Sequence, residues 1–123
     1  MAIFLLNFKK EFASRVESGE KRQTIRRNRK DGRRPQPGDT AKLYTGLRTR
    51  DARLLRAAPV AECLAVRMHL LDRVIIVDGR KLEIEEATAF ARADGFECFG
   101  DLLQWFRDQY QTDDFDGFCV RWN

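Results

Sequence analysis

The sequence predicts an α+β fold, a mixed β-barrel with about three short helices. Three observations carry this. Several runs alternate apolar and polar residues, as in Leu64, Val66, Met68 and Leu70 and in Phe118, Val120 and Trp122, the period of a strand with one buried face. Three other stretches repeat apolar residues at three- and four-residue steps, the period of a helix. The strands and helices do not alternate regularly, which argues against a parallel βαβ sheet.

In chain order, Ile3–Leu6 reads as a strand. Phe8, Phe12 and Val16 mark one face of a first helix, with Asn7 placed to cap its start and Gly19 to close it in the left-handed conformation. Thr24–Arg26 is a short strand, and Asn28–Thr40 a polar loop holding Gly32, Pro35, Pro37 and Gly38. Residues 41–46 read as a strand, and residues 52–58 carry no clear period. Val60–Val77 is rich in Val, Ile and Leu and makes one long strand or two. Val77-Asp78-Gly79-Arg80 is a hairpin signal, because Asp-Gly suits a type I′ turn. Residues 85–94 form a helix stopped by Gly95. Leu102, Leu103, Phe106 and Tyr110 line a further helix, as core. Phe118, Val120 and Trp122 end the chain on a strand.

A chain of 123 residues with 43% hydrophobic residues fits one domain, spanning 1–123, with a single core. No apolar stretch approaches the ~20 residues of a membrane helix, and the first residues lack the pattern of a secretory leader. Three scattered cysteines, Cys63, Cys98 and Cys119, suit reduced thiols and a cytoplasmic setting. A lone histidine, His69, and no Cys-x-x-Cys give little from which to build a metal site, so no metal or other cofactor is expected. His69 itself reads as an ordinary strand residue.

Charge is unevenly placed. Residues 1–56 hold 16 basic and 6 acidic residues, a net of +10, whereas residues 82–123 hold 3 basic and 10 acidic, a net of −7. Residues 21–34 are densest, with eight basic residues and one acid. Such a stripe attracts phosphate by steering and counterion release, so Arg22, Arg26, Arg27, Arg29, Lys30, Arg33 and Arg34 are the expected RNA contacts. Tyr44 is placed to stack on a base, although an aromatic in a strand also serves as wall packing.

The segment Gly19-Glu20-Lys21-Arg22-Gln23-Thr24-Ile25-Arg26 resembles the ASCH signature, a Gly-x-Lys with an Arg five residues after the Lys. Pro37-Gly38-Asp39 looks like that family's Gly-Asp turn. Val77-Asp78-Gly79-Arg80, Ala91-Arg92-Ala93-Asp94-Gly95-Phe96 and Trp105-Phe106 extend the likeness towards a phage-associated subset. The resemblance implies a PUA-like barrel and RNA or a modified nucleoside as partner. One branch of the family removes the acetyl group from N4-acetylcytidine with a Lys, a Thr three residues later and an acid on a following helix. Lys21 and Thr24 match the first two. Asp94 stands where that branch has Glu, one methylene longer.

The residues themselves allow this chemistry. A threonine hydroxyl needs a base to act as nucleophile, and Ser–Lys pairs show that a lysine can serve. Arg22, Arg26 and Arg27 crowd Lys21 in sequence, and like charges favour its neutral form. Arg26 suits an oxyanion or a phosphate. Asp94 faces the negative end of its helix, a placement disfavoured by ~0.3–1 kcal/mol, and such local violations often mark function. In a regular strand Thr24 and Arg26 share a face and Lys21 points away, so Lys21 must lie in the turn after Gly19 to meet Thr24. The expected site brings Lys21, Thr24, Arg26 and Asp94 to one cleft. Three functions remain open: an RNA-binding module without chemistry, an amidohydrolase acting on N4-acylated cytosine, and a ribonuclease, which the single histidine disfavours.

Overall fold

In the computed structural model, which describes residues 1–123, seven strands and three helices follow one another along the chain. They are β1 (Ile3–Phe8), α1 (Lys10–Ser18), β2 (Gln23–Arg27), β3 (Thr40–Thr45), β4 (Arg53–His69), β5 (Val74–Val77), β6 (Arg80–Lys81), α2 (Ile84–Ala93), α3 (Phe99–Tyr110) and β7 (Asp114–Trp122). The fold is α+β. The strands make one mixed sheet in the order β1-β3-β4-β5-β6, with β7 paired to β4 and to β2. β1 runs parallel to β3, and the β3–β4, β4–β5 and β5–β6 pairs are antiparallel.

The sheet does not close into a barrel, which corrects the expectation from sequence. β1 has only β3 as a partner, β2 only β7, and β6 only β5. β6 is two residues long, because the chain turns at Glu83 into α2. So short an edge offers no ladder on which another strand can build. No helix is long and apolar enough to cross a membrane.

The chain packs as two compact units: Met1–Gln23 with Pro35–Cys63 and Val120–Asn123, and Thr24–Arg34 with Leu64–Cys119. In the first, β1 buries alternate residues, Phe4, Leu6 and Phe8, in step with Ala41 and Leu43 of β3. Val16 and Ala13 of α1 are buried too. Phe8 therefore ends the strand and does not begin the helix. Asn7 is not a cap either: its side-chain oxygen accepts the Leu47 N–H at 2.9 Å, and the N-cap is Lys9. Gly19 closes α1 with φ 86°, as the spacing implied. Residues 52–58, without a clear period, largely belong to the 17-residue β4.

In the second unit, Val66, Met68, Ile75, Phe90, Leu102, Phe106, Phe115 and Cys119 are among the residues of one core. The Asp-Gly hairpin forms as read, with Asp78 at φ 52° and Gly79 at φ 81°, both left-handed as a type I′ turn requires. A capping box starts α2: Glu83 and Glu86 each accept the other's backbone N–H. Arg80 grips Glu86 with two bonds of 2.9 and 2.7 Å, and these bonds pull the Glu86 carboxyl down to about 2 from its ordinary 4.5. A depressed carboxyl stabilises the fold fully above its unfolded value and loses that contribution as pH falls through the folded one. Glu86→Gln keeps the capping geometry and removes the charge. Its melting temperature is expected to lie below wild type at pH 7 and to match it near pH 2. An unchanged gap between those pH values would mean that the ion pair contributes nothing.

Candidate functional site

A polar side chain removed from water must find partners, so buried polar residues are few and informative. Four polar or charged residues are buried: Lys21, Gln23, Thr24 and Asp94, at 3%, 2%, 5% and 4% exposure. Three of the four are the residues that the sequence nominated for catalysis.

Thr24 and Arg26 lie in the second unit, two apart on β2 and hence on one face of the strand. The Arg26 Nε–H donates to Thr24 Oγ1 at 3.1 Å. This occupies an acceptor position on the oxygen and leaves the hydroxyl proton free to be given away. Burial lowers the Arg26 pKa from its ordinary value, while the nearby Tyr110 and Asp94 act in the opposite direction. Asp94 reaches this group through the way α2 ends. It is the C-cap, with Gly95 next at φ 99°; the Gly95 N–H returns to Arg92 O at 3.0 Å and the Phe96 N–H to Ala91 O at 3.0 Å. These two bonds form a Schellman motif, which explains Gly95 by its positive φ. The carboxylate that local rules disfavour at a helix end is thus buried and electrostatically coupled to Arg26.

Tyr110, the last residue of α3, belongs to the same group. Its phenol pKa is raised, chiefly by burial, with Arg26 and Arg27 pulling it down and Asp94 pushing it up. The exposed Arg27 lays its guanidinium over the Tyr110 ring, 4.8 Å from the centroid. Trp105, Phe106 and Phe115 pack round the ring at centroid distances of 6.5, 5.7 and 5.1 Å.

Lys21 belongs to the first unit. It lies outside the regular strand, because β2 begins only at Gln23. Its N–H donates to Arg15 O at 2.9 Å, and Arg22 Nε–H returns to Gly19 O at 2.9 Å, so the turn after α1 is held at both sides. The ammonium lies 5.2 Å from the Phe12 ring centroid and 5.9 Å from that of Phe8. Tyr44 pairs with Asn7 across the β1–β3 ladder. It therefore takes the face opposite to Phe8 and is not gathered with Lys21.

The basic stripe is not uniform. Arg29 is held by Asp31 through two bonds of 3.1 Å, and Asp31 also accepts the Arg33 N–H at 2.9 Å. These bonds raise the Arg29 pKa and lower that of Asp31. Arg34 bonds Asn28 Oδ1 at 2.9 Å and lies over the Phe118 ring. Lys30 and Arg33 are exposed on the loop, and Arg22 at the turn before β2. His69, at the end of β4, meets Asp114 at 2.9 Å.

Tyr110 was read from sequence as core, and its coupling to Arg26 and Asp94 was not foreseen. One signal was present: it ends an apolar stripe with the one residue there that carries a hydroxyl. Asp31, the single acid in the stripe, likewise signalled that one arginine would be tied up. No family model, no curated protein and no solved structure matches the chain.

Proposed function

We propose that the chain recognises RNA or a modified nucleoside in the manner of the ASCH domains that its Lys21-x-x-Thr24-x-Arg26 motif resembles. The observation that carries this reading is the grouping of the buried Thr24 and Asp94 with the half-buried Arg26, which is hydrogen-bonded to Thr24 and charge-coupled to Asp94, beside Arg27 over the Tyr110 ring. A donor from Arg26, an acceptor from Asp94 and the two-way hydroxyl of Thr24 suit the polar edge of a base. The exposed basic loop suits the backbone that follows. RNA affinity is expected to fall steeply with salt. Replacing Arg27 and Lys30 together should flatten the log–log slope by ~1–2 units, and replacing Arg29 alone should do less, since Asp31 already neutralises it. Filter-binding or fluorescence titrations from low to moderate salt measure this; salt-independent binding sinks the reading.

A second reading, an amidohydrolase acting on N4-acylated cytosine, is favoured by the burial of all three residues that it needs. In it Thr24 Oγ attacks the acyl carbonyl and gives its proton to a base, the role that the motif suggests for Lys21, and the acyl group moves to the threonine as the cytosine amine leaves with a proton. Water then hydrolyses the ester and restores the hydroxyl. Arg26 Nε–H stabilises the oxygen of Thr24 as it loses its proton. The direct test is incubation with N4-acetylcytidine, followed by detection of cytidine and acetate.

A further inference from the structure

Arg27 stands apart from every other cation of the stripe. It is exposed, it sits on a strand and not on the loop, and its guanidinium makes no hydrogen bond or ion pair within the protein. Carboxylates are abundant on the neighbouring chain, yet they are engaged elsewhere. Asp108 takes Gln104 at 2.9 Å, Asp113 takes Arg107 at 3.2 Å, and Asp114 takes His69 at 2.9 Å. The Asp116 carbonyl accepts the Asn28 N–H, but its carboxylate forms no pair with Arg27. What holds Arg27 is the face of Tyr110. A guanidinium held over a ring spends none of its N–H groups on that contact, and they stay available to bind a phosphate with two parallel bonds.

We infer that Arg27, held over the Tyr110 ring, is the phosphate-reading residue of the site, and that the ligand is therefore a nucleotide or an RNA segment and not a free nucleoside. The inference rests on the proposed function, which supplies the base, and adds the phosphate. Tyr110 serves twice: its ring positions Arg27, and its phenol lies in the field of Arg26 and Asp94. The distance from base group to phosphate group is thereby set by one side chain. Lys30 adds charge nearby on the chain but has no such support, so it contributes to attraction and not to register.

The test titrates the full chain by calorimetry with four ligands: N4-acetylcytidine, its 3′-monophosphate, its 5′-monophosphate, and a single-stranded RNA tetranucleotide containing that base. At least one phosphate-bearing ligand is expected to bind about tenfold more tightly than the nucleoside. A monophosphate gain identifies a terminal phosphate, and a gain with the tetranucleotide alone identifies a chain phosphodiester. Arg27→Gln should remove that advantage, so that the variant binds the phosphorylated ligands no more tightly than it binds the nucleoside. Tyr110→Phe, which keeps the ring, should preserve it, and Tyr110→Leu should lose it. If the nucleoside binds as tightly as the phosphorylated ligands, or if Arg27→Gln leaves the advantage intact, the inference fails while the proposed function stands. If none of the four ligands binds, both fail.

Discussion

On the amidohydrolase reading, Thr24→Ala is expected to abolish turnover of N4-acetylcytidine, by at least about a thousandfold, while changing affinity for the substrate little. The substitution deletes the hydroxyl and the γ-methyl from a buried position and adds no bulk. It also strips the Arg26 Nε–H of its acceptor at 3.1 Å. A buried donor left without a partner costs ~1–3 kcal/mol of stability, so a lower melting temperature accompanies the loss and must be measured beside it. Thr24→Ser separates the two effects: it restores the oxygen to Arg26 and the nucleophile together, and activity should return in large part. A Thr24→Ala protein that still turns over a tenth of the substrate would remove Thr24 as nucleophile. A variant with weakened binding, in a protein that never showed turnover, would leave the RNA-binding reading in place without the chemistry.

The largest loss of stability is expected from Gly117→Ala. Gly117 is buried in β7, and a Cβ built there runs into the carbonyl oxygen and carbon of Arg26 on β2 and the ring of Phe115. A clash with a flexible side-chain tip is relieved by rotation, but a backbone carbonyl in a paired strand can retreat only if the strand moves. Overpacking of this kind costs about 3 kcal/mol, which for a chain of this size lowers Tm by roughly 10 °C. The displaced strand is the one that carries Thr24 and Arg26, so ligand affinity should fall with stability. A melting temperature within a degree or two of wild type would show that β2 and β7 separate without cost.

The elements that were legible in the sequence are those whose signal is local. The Asp78-Gly79 turn and the left-handed Gly19 each follow from one or two residues, and each formed as read. Phe118, Val120 and Trp122 do end the chain on a strand, but Cys119 between them is buried as well, so β7 does not show the one-sided alternation that the sequence implied. Phe8 failed because four-residue spacing from Phe12 and Val16 is also compatible with a strand that ends where the helix begins; the parallel pairing with β3, distant in sequence, decided the matter. Closure of the sheet was illegible for the same reason, since it depends on which strands find partners and not on any strand's own pattern. Lys21, Thr24 and Asp94 stand out in the sequence by motif and spacing, and each is buried in its own unit. Tyr110 is not distinguished by sequence because a tyrosine on an apolar stripe has the same spacing whether its hydroxyl faces open solvent or, as here, is half-buried in the field of two arginines and an aspartate.

The division of the chain into two packed units has a genetic consequence. The polypeptide passes from one to the other between residues 23 and 24, 34 and 35, 63 and 64, and 119 and 120. Three of these passages fall inside β2, β4 and β7, and only the one at Arg34–Pro35 falls in a loop. No single stretch of gene therefore encodes either unit whole. Recombination that copies or swaps one contiguous piece would cut through at least one strand and leave its hydrogen bonds unmatched. The buried Lys21 and the buried Thr24 stand on opposite sides of the first passage, so an exchange with a breakpoint there would part the two halves of the motif.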